Sequence, residues 1–241
     1  MNEIFHIPLE KDKKLTKLTL NSNIYISPRR SFQGIKVKNI SNIQKSLTFA
    51  KSMAFSDESI AFHRKSRSGG LEVRNQNQLF ENTLQGKLSE FILYEYFKFN
   101  NFVSTQPDLK TFRKGIWDNG DLTVDGKNIN VKSIKNFSSL LLLELKDWTQ
   151  EAIYKPNNQK YDFFFLVRLS IPFREFKEYS ELSADALIGK IYFDIPGYIS
   201  NAMMVKAIEN NHIIKQGNFL NSLKTKIDAD NYYIHANDFI F

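Results

Sequence analysis

The stretch Asp121-Leu-Thr-Val-Asp-Gly-Lys-Asn-Ile-Asn-Val-Lys-Ser133 decides the fold predicted for this chain. Its Asp125-Gly126 pair is typical of a two-residue hairpin turn, because a type I′ turn needs positive φ at both central residues. A turn there places Asp121 opposite Asn130. Since side chains alternate across a strand, the predicted apolar face holds Leu122, Val124, Ile129 and Val131, and the predicted polar face holds Asp121, Thr123, Asn128, Asn130 and Lys132.

The elements predicted around this hairpin indicate an α/β fold. Apolar residues at helical spacing predict a helix from Asn77 to about Phe99. The aromatic and β-branched run Tyr161–Leu169 predicts a central strand, apolar on both faces. Further strands are predicted at 23–26, 35–40, 102–105, 187–193 and 231–234, and further helices at 43–55 and 200–209; the run 138–145 fits either a strand or the start of a helix. We therefore expect a mixed central β-sheet flanked by helices.

Composition narrows the class of protein. With 241 residues, 42% of them hydrophobic, the chain can bury a sizeable core, and we expect one domain over residues 1–241. The absence of cysteine excludes disulfides, thiol nucleophiles and cysteine-based zinc sites. No apolar run reaches the roughly 20 residues of a membrane span, and the N-terminus does not resemble a secretory signal, so we expect a cytoplasmic protein without a membrane partner.

The charge of the chain favours a polyanionic partner. Its formal net charge is +7, with a pI near 9.3, although a lysine-rich composition can also serve solubility alone. No phosphate-cradling glycine-lysine loop occurs, which argues against a nucleotide cofactor. The four histidines are scattered and match no histidine-based metal site.

The polar face of the hairpin suits a magnesium site. Mg²⁺ takes oxygen ligands, usually one or two carboxylates with waters and a substrate phosphate. Asp121 offers a carboxylate, Val131 a backbone carbonyl, and Glu90 a further carboxylate if its helix flanks the sheet. Lys132 would then hold an attacking water and offset charge developing on phosphorus. Taken alone, the pattern is better explained by an ordinary amphipathic hairpin with a solvated polar face.

Three segments in this order resemble the core of the PD-(D/E)XK nuclease superfamily, in the style of type II restriction endonucleases. They are Leu84-Gln-Gly-Lys-Leu-Ser-Glu90, Gly120–Ser133 and Tyr161-Asp-Phe-Phe-Phe-Leu-Val-Arg168. The resemblance covers about residues 79–169, and it implies a nuclease core there with additional DNA-recognition and dimerisation elements in residues 1–78 and 170–241. It also implies Glu90, Asp121, Asn130 and Lys132 as catalytic residues, with Asp121, Asn130, Val131 and Glu90 holding Mg²⁺.

The implied partner is double-stranded DNA, bound by a homodimer because two-fold protein symmetry matches a palindromic site. Candidate phosphate contacts are Arg64, Lys65, Arg67, Arg113, Lys114 and Lys135. A solvated loop is at least as good an explanation for each of these cations. The implied activity is magnesium-dependent, site-specific hydrolysis of phosphodiester bonds.

Asn130 departs from the family pattern, which has Asp or Glu at this position. An amide has the size of the carboxylate without its charge, so magnesium binding should be weakened. Three explanations stay open: a natural variant that still cuts, a natural DNA binder that does not, and a deliberate Asp-to-Asn change, which the single size-conserving departure favours. Two rival functions also remain, a non-catalytic sequence-specific DNA-binding protein on the same fold and a DNA repair or junction-resolving nuclease.

Overall fold

The computed structural model describes residues 14–56, 75–110 and 121–240. The helices are α1 (Ile40–Phe55), α2 (Gln76–Phe99), α3 (Ala184–Leu187) and α4 (Asn201–Glu209). The strands are β1 (Thr19–Asn21), β2 (Ile24–Ile26), β3 (Ile35–Lys36), β4 (Leu122–Val124), β5 (Lys127–Lys135), β6 (Leu140–Glu144), β7 (Ile153–Tyr154), β8 (Gln159–Lys160), β9 (Phe163–Ser170), β10 (Tyr192–Ser200), β11 (Ile213–Ile214), β12 (Phe219–Leu220), β13 (Ser222–Lys226) and β14 (Asn231–His235).

A mixed five-stranded sheet lies at the centre of the fold, in the order β3-β10-β9-β5-β4. The β5–β9 pair is parallel, whereas β4–β5, β9–β10 and β3–β10 are antiparallel. Helices α1 and α2 pack on one face of this sheet, and α4 packs on the other together with β6 and β14. The predicted α/β architecture with a mixed sheet is therefore confirmed.

The hairpin that decided the prediction is present with the predicted register. Leu122 pairs with Ile129, and Val124 with Lys127. Asp125 and Gly126 form the turn with φ of 45° and 76°, as a type I′ turn requires. The apolar face packs into the core beneath α2.

Strand β9 is the predicted central strand, and both of its faces are buried. Phe163, Phe165 and Val167 belong to the hydrophobic cluster beneath α1 and α2. Phe164 and Leu166 belong to the cluster on the opposite face. The alternation shows that the continuous apolar run reflects burial between two layers rather than one wide apolar face.

Helix α2 begins and ends at residues that the sequence marks. Asn75 and Gln78 form a capping box at its start, which satisfies two backbone amides that lack helical partners.

The helix runs antiparallel to β5 and β9. Gln85, in its N-terminal half, contacts Ser133 of β5, whereas Phe97, near its end, packs on Phe165, which is the register partner of Val131.

Two predicted strands were wrong. Residues 102–105 form only an isolated bridge between Ser104 and Val124. Residues 187–193 divide between the end of α3, a turn at Gly189 with φ of 76°, and the start of β10 at Tyr192. Strand β10 then continues through Pro196 because a register shift removes the need for a hydrogen bond from a residue that has no N–H group. The ambiguous run 138–145 contains strand β6.

A buried ion pair attaches the segment before β3 to the central sheet. The guanidinium of Arg168, which is 1% exposed, donates to both carboxylate oxygens of Asp194 on β10. It also donates to the carbonyls of Arg30 at 2.8 Å and Ser31 at 2.6 Å, and the amide of Gln33 donates to Asp194 at 3.1 Å. The buried guanidinium and its carboxylate partner are therefore hydrogen-bonded within the protein.

Smaller sheets lie outside the central sheet, and the first of them joins chain segments from before and after the central hairpin. One has the order β1-β2-β12-β13, in which β2 and β12 are parallel, and another has the order β11-β14-β6. Ile240, next to the last residue of the chain, bridges to Tyr198 of β10 beside Gly197. Within the described residues, no helix has the length and apolar character needed to cross a membrane.

Candidate active site

Asp121 lies where β4 begins, and its side chain contacts β5. The Val131 amide donates a hydrogen bond to Asp121 Oδ2 at 2.6 Å. This contact extends the hairpin by one step beyond its last paired residues, Leu122 and Ile129. The predicted proximity of Asp121 to residues 130 and 131 is therefore present, with the carboxylate bound to the backbone of β5.

The Val131 carbonyl lies on the same side of β5 as its amide, because the N–H and C=O groups of one residue in an extended strand point to the same edge. That edge carries Asp121. A carboxylate and a backbone carbonyl thus lie beside each other just before the first residue of β4, and both offer oxygen to a hard cation.

Asn130 is buried, with 4% of its surface exposed. It pairs in register with Phe164 of β9, on the face opposite α2. Its Oδ1 atom has no hydrogen-bond partner. A buried acceptor left unsatisfied costs about 1–3 kcal/mol, so such atoms call for an explanation such as a bound ion or water. A simple solvated hairpin face does not fit this burial.

Lys132 follows Asn130 on the same face, in register with Leu166. Its side chain is half-buried. Its ammonium group makes no hydrogen bond or ion pair with any residue in ranges 14–56, 75–110 and 121–240. An amide oxygen without a donor and an ammonium without an acceptor therefore stand two residues apart on one strand face.

Glu90 lies on α2 between the Gln85 and Phe97 contacts, and its carboxylate forms an ion pair with Lys87 at 2.6 Å. The Lys87 and Glu90 side chains are 8% and 12% exposed. Lys87 also lies over the ring of Phe49 on α1, with its ammonium 5.0 Å from the ring centroid. Lys87 is a residue that the sequence prediction missed, although its position three residues before Glu90 on a helix is typical of such a pair.

The oxygen atoms of Asp121, Asn130 and the Val131 carbonyl match the ligand preference of Mg²⁺, but only the Asp121 oxygens carry a charge. Asp121 is the one carboxylate beside Val131 and Asn130 in the contacts above. In the described part of the chain, no three His, Cys, Asp or Glu side chains are grouped so that they could hold a metal ion. Asn130 is not one of these four residue types, although its amide oxygen can bind a cation. A ligand set with one carboxylate and two neutral oxygens binds Mg²⁺ weakly.

The predicted DNA contacts are only partly located. Arg64, Lys65, Arg67, Arg113 and Lys114 lie outside the described residues. Lys135 is exposed at the end of β5, on the strand that carries Asn130 and Lys132.

Comparisons with known proteins add no relative. Neither the family models, nor the curated proteins, nor the solved structures contain a match to this chain.

Proposed function

We propose that this protein is a magnesium-dependent endonuclease of the type II restriction class, acting on double-stranded DNA, in a form weakened by Asn130. The proposal rests above all on the buried Oδ1 of Asn130, which lacks a partner. It stands beside a carboxylate on one side and an unpaired ammonium on the other. A buried oxygen acceptor without a hydrogen-bond donor in that position suits the role of a cation ligand.

Each residue of the candidate site has a distinct part in the proposed reaction. Asp121, the Val131 carbonyl and Asn130 Oδ1 would hold Mg²⁺, whereas Glu90 is paired with Lys87 on α2, which packs on the sheet face opposite Asn130, and is left out of this ligand set. When bound, the metal supplies Lewis-acid stabilisation of a phosphate oxygen. Lys132 orients the attacking water and balances the negative charge that develops on the phosphate as one P–O bond forms and another breaks.

Asn130 limits this site because its oxygen is a dipole rather than a charge. Restoring a carboxylate should strengthen metal binding and raise the rate, since removal of one preorganised electrostatic contact typically costs about 10²–10³ in rate. The same substitution would also place a negative charge near Lys132 and keep its ammonium correctly oriented.

The test compares Asn130→Asp with Asn128→Asp on plasmid DNA of known sequence. Asn128 lies on the same face of β5 as Asn130, two residues earlier, and pairs with Thr123 rather than lying beside Asp121. Its substitution by aspartate therefore adds the same negative charge at a greater distance from Asp121. We expect Asn130→Asp to raise magnesium-dependent cleavage by about 10²–10³-fold, with double-strand cuts at a fixed sequence. Asn128→Asp should leave cleavage unchanged.

Equal activity of Asn130→Asp and the parent chain would remove Asn130 from the metal site. A non-catalytic DNA-binding protein is favoured by the same residue, because an amide at this position suits a site that no longer cuts. That function predicts sequence-selective binding without cleavage even after Asn130→Asp. Cleavage of branched DNA in preference to intact duplex would instead identify a junction-resolving nuclease.

A further inference from the structure

The β1-β2-β12-β13 sheet is built from two segments that contain no acidic residue. Residues 14–38 hold six lysines and arginines, and residues 210–227 hold three. The remaining residues hold 24 lysines and arginines against 26 acidic residues. The positive net charge of the chain therefore comes from the segments that form this sheet and its flanks.

One face of the sheet packs on the protein. Tyr25, Leu220 and Ile227 lie in the cluster around Leu140 and Tyr233. Because paired residues share a face, the opposite face presents Thr19 paired with Ile26, and Ile24 paired with Phe219, which pairs in turn with Lys226. This second group of side chains is called the outer face below.

Lysines lie along both edges of the outer face. Lys17 is exposed and lies two residues before β1. The preceding Thr16 is held by a 2.7 Å hydrogen bond to Asp238. Strand β13, at the other edge, is exposed at all five residues and carries Lys224 and Lys226. None of these three lysines forms an ion pair with any residue that the structure describes.

The two edges are separated by three inter-strand steps of about 4.8 Å each, or about 14 Å. The major groove of B-DNA is about 12 Å wide and is bordered by two rows of phosphates. A lysine side chain is long and flexible enough to cover the difference between the separation of the sheet edges and the width of the groove. Between the edges lie Ile26, Thr19 and Asn21, which can contact sugars, thymine methyl groups and base edges.

We propose that the outer face of the β1-β2-β12-β13 sheet binds duplex DNA across a groove, with Lys17 contacting one phosphate row and Lys224 and Lys226 the other. This surface would serve the nuclease function proposed above. The choice of DNA, rather than another polyanion, rests on that proposed function. The separation of the cations into two rows favours a duplex over an anionic membrane, which attracts charge without regard to such spacing.

The test is the affinity of a fluorescently labelled duplex, measured by anisotropy in EDTA so that cleavage plays no part. The variant Lys224→Gln/Lys226→Gln is compared with Arg174→Gln/Lys177→Gln, which removes the same charge from two exposed residues elsewhere that form no ion pair within the described part of the chain. Two lost phosphate contacts should reduce the steepness of log affinity against log salt by about 1.8, so the variant should bind roughly 60-fold more weakly than the parent chain at about 0.1 M salt if the two affinities extrapolate to the same value at 1 M. The control variant should keep the slope of the parent chain.

An unchanged slope in the Lys224/Lys226 variant, or an equal loss in both variants, would overturn the proposal. Binding to vesicles of anionic lipid that competes away the duplex would overturn it as well and assign the outer face to membranes. If the duplex binds through these lysines but the Asn130→Asp variant does not cleave it, the nuclease proposal alone would be refuted. Cleavage by Asn130→Asp with lysine-independent binding would remove only the outer-face proposal.

Discussion

Replacing Asp194 with asparagine should destabilise the protein severely, because it leaves the Arg168 guanidinium buried without a counter-charge. The pair is almost fully shielded from water, with side-chain exposures of 1% for Arg168 and 12% for Asp194. Removing one partner of a buried ion pair typically costs about 3–5 kcal/mol. The carbonyls of Arg30 and Ser31 can satisfy part of the guanidinium but carry no full charge.

The measurement is equilibrium unfolding in urea, followed by far-ultraviolet circular dichroism. With an m value of about 2–3 kcal/mol/M, a loss of about 4 kcal/mol lowers the unfolding midpoint by about 1–2 M. The matched control is Glu175→Gln, which breaks the 3.1 Å ion pair with Lys190, where both side chains are about half exposed. An exposed pair contributes less than about 1 kcal/mol, so this control should barely move the midpoint.

The comparison also tests the physical argument for the fold. If Asp194→Asn and Glu175→Gln shift the midpoint equally, then the Arg168 site is reached by water and the buried ion pair does not hold the segment at Arg30 to β10. A fall in the m value of Asp194→Asn with little change in midpoint would likewise refute the reasoning, because it would indicate a change in compactness rather than loss of one interaction.

Two further predictions concern the C-terminal half of the chain. Gly197→Ala should lower the free energy of unfolding and the melting temperature. A Cβ atom there would overlap the carbonyl of Ile240, and the glycine has a φ of 130° that alanine rarely adopts. An unchanged melting temperature would show that Ile240 does not lie against β10. Burial, together with a hydrogen bond to Glu81, raises the pKa of Tyr179 from its ordinary 10.0 to about 12. The folded state therefore holds the phenol proton more tightly than the unfolded state, so this contribution to stability is complete below pH 10 and is lost as the pH rises toward 12. Urea midpoints measured from pH 9 to 11.5 should fall less steeply for Tyr179→Phe than for the parent chain, and parallel curves would contradict this origin.

The central features of the fold were predictable because local chemistry and burial pointed to the same structure. Asp125-Gly126 fixed the hairpin turn, and the turn fixed the register of Leu122 against Ile129. The aromatic run in β9 indicated a strand with two buried faces. At β10, in contrast, Pro196 and Gly197 signal the end of a strand in sequence, whereas a register shift and the nearby Ile240 let the strand continue.

The candidate site was predictable in position but not in detail. Strand alternation places Asn130 and Lys132 on one face, and the turn brings Asp121 to their strand. The burial of Asn130 depends on the second layer of β6, β14 and α4, which hairpin periodicity does not reveal. The Lys87 ion pair with Glu90 depends equally on packing between α1 and α2.

The pairing of β2 with β12 has a consequence for how the chain folds during synthesis. Ile24 aligns with Phe219, which is 195 residues later in the sequence. At translation rates of roughly 5–20 residues per second, β2 waits about 10–40 s before its partner exists. Over that interval the β1–β2 ribbon is a short two-stranded unit, which is at best marginally stable alone. The acid-free segment 14–38 that contains this ribbon carries six lysines and arginines, and their mutual repulsion should limit aggregation of nascent copies before the sheet closes.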